Sequence, residues 1–146
     1  MNASLAAWRR RLERFPMSIV LLGMRIGVGA VFFRSGLLKL DSWQFTVQLF
    51  RDEYRVPLLE PVLAAQVTTA VELAAPPLLF AGLATRLAAL PLLAMIAVIQ
   101  IFVYPNAWSD HLLWGSTLVL LLTQGPGAIS VDRVIAAWSG RRMQDR

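Results

Sequence analysis

The chain has no cysteine, and its 146 residues include a single histidine. The first absence excludes disulfides, thiolate nucleophiles and Cys-ligated metals or clusters within the chain. The second excludes bis-histidine haem ligation within one copy, although a symmetric pair of copies escapes that limit. His111 itself, with Trp108 and Trp114 close by in sequence, is expected to pack or hydrogen-bond, because a metal site needs several ligands; no metal is expected. Charge is scarce too. Asp, Glu, Lys and Arg make up 16% of the residues, against about 25% in soluble proteins. Alternating ten-residue strands, the mark of a membrane β-barrel, are missing. No Gly-x-Gly-x-x-Gly follows a strand-like segment, so neither a flavin nor a nicotinamide site is recognisable.

What is abundant is apolar surface. Hydrophobic residues form 57% of the chain, above the roughly 45–50% of soluble domains, and the mean hydropathy is +0.58. Apolar runs at 17–40, 61–83, 87–104 and 110–124 predict an all-α, polytopic membrane four-helix bundle, one membrane domain over 1–146. A spanning segment must satisfy its own backbone hydrogen bonds, and an α-helix of about 20 residues does so across the hydrocarbon core. The first two runs reach that length; the third is near its lower limit and the fourth falls short unless its ends extend. Short amphipathic surface helices are expected at 3–15, 43–55 and 131–139. In the second, Trp43, Val47, Phe50 and Tyr54 recur at helical spacing, and contact with lipid is the expected use of that face. Ser130 is a candidate N-cap for the third. Gly23-x-x-x-Gly27 permits close helix approach, within the bundle or between copies.

The net charge of +5 could signal nucleic-acid binding, but the placement of the basic residues argues against it. Arg9, Arg10, Arg11 and Arg14 precede the first span, Arg86 lies in the second turn, and Arg133, Arg141, Arg142 and Arg146 follow the last. The opposite side carries Arg51 and Arg55, or four basic residues if Arg34 and Lys39 are added. This bias predicts a multi-pass protein of the cell (cytoplasmic) membrane with both termini cytoplasmic, in contact with the lipid bilayer and not with nucleic acid.

Each charge inside a span carries an insertion cost of roughly 2.5–3.5 kcal/mol and so needs an explanation. Arg25 in the first span and Glu72 in the second are expected at similar depth in antiparallel neighbours, where they could pair, either as a ligand or proton site or as a structural lock. Pro76 and Pro77 leave the carbonyls of Glu72 and Leu73 without their helical donors, adding polarity beside that carboxylate. Arg34, Lys39, Gln66, Gln100, Tyr104 and His111 form a second polar group toward the outer ends of the spans. The ligand-binding candidates are therefore Arg25, Glu72, Arg34, Lys39, Gln100 and His111; no catalytic residue is identifiable.

The order of these features resembles the DoxX family. The residues that carry it are Arg25 with Gly29, Phe32 and Phe33, Gly36-x-x-Lys39 closing the first span, and Val56-Pro57 after the amphipathic segment. Glu72, then Ala81 to Arg86 at the turn, and Gly125 to Asp132 after the fourth span complete the pattern, which covers roughly 17–135. The resemblance implies a four-helix membrane protein, at most a non-autonomous subunit of a membrane oxidoreductase, with quinone as the implied cofactor and a redox partner subunit or a second copy as partner. A small proton-coupled transporter and a membrane scaffold or anchor are the alternative functions weighed from the residues.

Overall fold

The computed structural model describes Trp8 and residues 15–57 and 59–144, and over these residues it contains helices and no strand. The order is α1 (Met17–Asp41), α2 (Trp43–Leu49) running into a π-helical turn (Phe50–Tyr54), α3 (Pro61–Ala81), α4 (Thr85–Val98) running into a second π-helical turn (Ile99–Val103), α5 (Trp108–Gln124) and α6 (Val131–Gln144). The amphipathic helix expected at 3–15 lies outside the described residues, apart from Trp8 and Phe15.

Local chemistry sets the boundaries. The Glu60 carboxylate caps α3 by accepting from the Leu63 amide at 3.0 Å, and Pro61 occupies the first helical position, where its missing N–H is no loss. At the other end Gly82 takes φ +66, and the Leu83 amide closes the helix onto the Leu78 carbonyl at 2.9 Å. Ser130 caps α6 as its position suggests, accepting from the Arg133 amide at 3.3 Å. Pro76, Pro77 and Pro91 lie inside α3 and α4, which run through them as continuous helices.

Four long helices pack side by side: α1 on α3, α3 on α4, α4 on α5, and α5 back on α1. Leu21, Val28, Phe32, Leu79, Leu92, Leu118 and Leu121 fill the shared core, and the Phe32 and Trp114 rings meet edge to face at 5.9 Å. The outer faces are apolar: Ile26, Leu37, Leu63, Leu87, Leu90, Ile101, Leu112 and Val119 are all exposed. Such a surface is stable only against lipid. By length and composition α1, α3 and the continuous Thr85–Val103 unit can each cross a membrane. At 17 residues α5 is about 25 Å long, short of a core of about 30 Å.

The antiparallel register of α1 and α3 is fixed by two glycines that the sequence reading did not single out for close packing. A Cβ on Gly29 would stand 2.6 Å from the Phe80 ring, and one on Gly36 would stand 2.9 Å from Leu73 and 3.0 Å from the Glu72 Cβ. Nothing lies within 4 Å of a Cβ built on Gly23 or Gly27, so that pair plays no part in packing among the described residues.

The expectation that α2 turns its apolar face to lipid is corrected. Phe50 is buried against Ala64 and Ala65 at the start of α3, with Trp43, Val47, Tyr54 and Val56 packed around them. The two alanines leave a groove in α3 that takes the aromatic ring, so this face seals one end of the bundle instead.

Candidate functional site

The register decides which charges meet. Gly29 faces Phe80 and Gly36 faces Leu73, seven residues along each helix in opposite directions. Continuing that register puts Arg25 beside the Gly82 turn and brings Lys39 to Glu72. The expected Arg25–Glu72 pairing is therefore overturned. Lys39 Nζ donates to both Glu72 oxygens, at 2.8 and 2.7 Å, and to Ser35 Oγ at 2.8 Å. All three ammonium protons are used. The Glu72 side chain is 4% exposed and that of Lys39 15%, so the lysine is the more accessible partner. A pair this buried is held by its mutual bonds; removing one member strands the other.

Arg25 does something different. Its side chain is 1% exposed, and Nη2 donates to the Ile129 carbonyl at 2.7 Å. The guanidinium lies against Gly82 so closely that a Cβ there would collide with Nη1. The acidic group acting on it is Asp132, not Glu72. Asp132 in turn accepts from the Ala84 amide at 2.9 Å and donates its own amide to the Gly82 carbonyl at 3.1 Å. Arg25 thus ties α1 to the loop before α6, and Asp132 ties the start of α6 to the α3–α4 turn; the Arg25 Nε and Nη1 make no hydrogen bond among the described residues.

The Lys39–Glu72 pair stands in the wall of a cavity of about 560 Å³, a volume typical of small-molecule sites. The rest of the wall is mostly apolar, with Phe32, Phe50, Val71, Met95, Ile99 and Trp114 prominent. A few further polar groups join it at the α2 end: Tyr54, Tyr104, Asp110 and His111. His111 is 7% exposed, and its Nδ1 lies 2.6 Å from the Gln100 Oε1. The Gln100 Nε2 donates to the Pro105 carbonyl at 2.8 Å, which turns Oε1 toward the ring. His111 Nδ1 is then the donor, and in the neutral ring Nε2 is left as the acceptor. Of the sequence candidates, Lys39, Glu72 and His111 line the cavity, and Gln100 supports His111. Arg34 is exposed on α1 and outside the lining, and Arg25 is remote from it.

The α2 end is covered by aromatic side chains that the sequence reading placed only in part. The Phe50, Tyr54 and Tyr104 rings form an edge-to-face chain, with centroids 4.9 and 5.7 Å apart. Tyr104 Oη donates to the Glu53 carboxylate at 2.5 Å. That carboxylate is the main cause holding the Tyr104 phenol well above its ordinary pKa, while burial is the main cause raising that of Tyr54. Helical spacing marks Tyr54, but nothing local to the sequence pairs Tyr104 with Glu53, 51 residues away. Among the described residues no cluster of three or more His, Asp or Glu side chains could hold a metal ion.

Comparison with known proteins identifies a family. The sequence model of the DoxX family matches residues 20–105, a stretch that contains Lys39, Glu72, Tyr54 and Tyr104. An uncharacterized protein of Haemophilus influenzae is 28% identical over 135 residues, covering 86% of this chain and 89% of that one. No solved structure matches. With well over half of its length matched by the family model, this membrane protein belongs to the DoxX family.

Proposed function

We propose that the bundle binds a quinone, or a lipophilic molecule with a similarly polar head, as the membrane subunit of a redox system in the cytoplasmic membrane. The Lys39–Glu72 pair in the wall of an otherwise apolar cavity carries this reading. A quinone head offers carbonyl oxygens that only accept, and the Lys39 ammonium is the donor in reach. A quinol head offers hydroxyls that donate, and the Glu72 carboxylate accepts them. A single buried ammonium–carboxylate pair therefore serves both oxidation states. Because Lys39 spends two protons on Glu72, moving from two contacts to one releases a donor for the ligand while keeping the pair. The ring and tail of such a molecule suit walls of Phe32, Val71, Met95 and Trp114.

Electrons would come from a partner subunit, since this chain has no cysteine for a cluster and no dinucleotide motif. In this reading all four long helices cross the bilayer and both termini are cytoplasmic, which the arginine-rich ends and Arg86 support. His111 and Gln100 belong to the head-group end of the site; Arg25 and Arg34 do not.

The test is a titration of ubiquinone onto the purified protein in lipid nanodiscs. Lys39→Met alone strands a buried carboxylate, so the informative variant is Lys39→Met with Glu72→Met, which keeps size and removes both charges together with every hydrogen-bond donor and strong acceptor at the two positions. It is expected to weaken binding at least about tenfold, the loss of little more than one good hydrogen bond. Equal affinity in the double variant and the natural protein would reject the reading.

A further inference from the structure

We infer that the cavity is loaded sideways from the bilayer, through a seam between α3 and α4, and that its ligand carries a hydrocarbon tail lying in that seam. The inference rests on the small-molecule reading above and adds to it the class of ligand and its route.

The wall of the cavity is not confined to the bundle interior. On α3 it includes Val67, which is 48% exposed and shares the outward face with Leu63. On α4 it includes Pro91, Ala94 and Val98, all exposed, the last by 36%. Val71 on α3 and Met95 on α4 continue the same wall inward as half-buried residues, and Glu72 follows Val71. A continuous strip thus runs from the lipid-facing side of two adjacent helices to the ion pair. The residues on its outer part are alanine, proline and valine, none of them large.

Two backbone features shape the α4 side of this seam. Pro91 adds bulk without a backbone donor on the first half of α4. The π-helical turn at Ile99–Val103 carries an extra residue per turn, which displaces the end of α4 relative to a regular helix. The α2 end is narrowed by the Phe50, Tyr54 and Tyr104 rings and the Tyr104–Glu53 bond, although Leu59 and Tyr104 of the lining are themselves exposed there. A strip of apolar side chains open to hydrocarbon favours a molecule already dissolved in the membrane. Its polar head must cross only the seam, and its tail can stay in lipid-like surroundings throughout.

The experiment compares two probes in nanodiscs: a ubiquinone with a long isoprenoid tail and the tail-less 2,3-dimethoxy-5-methyl-1,4-benzoquinone. Ala94→Trp fills the seam. Leu90→Trp, on the outward face of α4 at 48% exposure and outside the cavity wall, controls for the added indole. Ala94→Trp is expected to slow uptake and reduce retention of the long-tailed quinone at least about tenfold, with a smaller loss for the tail-less probe, which has no tail to seat in the seam, and Leu90→Trp without effect on either. Undiminished long-tailed binding in Ala94→Trp would overturn the sideways route while leaving the cavity as a quinone site. Failure of both probes to bind the natural protein would overturn the site itself, and this inference with it.

Discussion

Tyr104 shows how one side chain at the rim of the cavity makes the fold sensitive to alkali. Its phenol donates to Glu53, so ionising it would set two negative charges side by side. Its pKa is accordingly raised above the ordinary value of 10.0 in the folded protein. The sign of the linkage follows. A folded-state pKa above the unfolded one adds stability that is complete below about pH 10 and is lost as pH rises through the folded value. Thermal midpoints measured in detergent from neutral to strongly alkaline pH should fall more steeply for the natural protein than for Tyr104→Phe, which has nothing to ionise there. Parallel curves would show that the Tyr104–Glu53 bond contributes no pH-dependent stability. At this scale the sequence was partly legible. Lys39, Glu72, Gln100 and His111 stand out as polar residues in apolar runs, but the identity of each partner depends on helix register, which no single residue encodes.

At the scale of elements, the spans are readable from apolar runs, because a helix in lipid needs little beyond length and hydropathy. Their ends shifted by a few residues, α3 stopping at Ala81 and α4 starting at Thr85, where Gly82 and Ala84 take left-handed backbone. Register was not readable. Equal-depth reasoning pairs Arg25 with Glu72, whereas Gly29 and Gly36 slide α1 until Lys39 reaches that carboxylate. The same slide delivers Arg25 to the loop before α6, where it acts with Asp132 as a tie between elements. Asp132→Ala removes the bond to the Ala84 amide and the opposing charge near Arg25. It should destabilise the protein by about 1.5–3 kcal/mol, the range for a hydrogen bond to a charged group, read as a lower thermal midpoint and lower abundance. Quinone bound per folded molecule should not change, because the tie is far from the cavity. Unaltered stability would deny the tie, and lost binding at full stability would make this end part of the site.

For the molecule as a whole, the division of polar groups follows from the shape of the bundle. One end is bound together by Arg25, Asp132 and the α3–α4 turn, and the other holds a cavity with a buried ion pair under an aromatic roof. The membrane class and the all-helical architecture were legible from composition, because few charges and long apolar runs leave little else. The cavity was not, since an internal volume depends on how four helices splay and on two π-helical turns that leave no recognisable mark in the sequence. The apolar face of α6, with Val134, Ile135 and Trp138 exposed, continues the lipid-facing surface in the proposed orientation. A bundle stabilised at one end and hollow at the other is suited to hold a guest without unfolding.

The central claim is that the hollow end holds a quinone in the cell's own membrane. Native mass spectrometry of the protein released gently from that membrane measures this directly. The natural protein should carry the added mass of the membrane's quinone, and the variant combining Lys39→Met with Glu72→Met should emerge without it. A natural protein that leaves a quinone-rich membrane bare, or a double variant that carries the same quinone, would contradict the account.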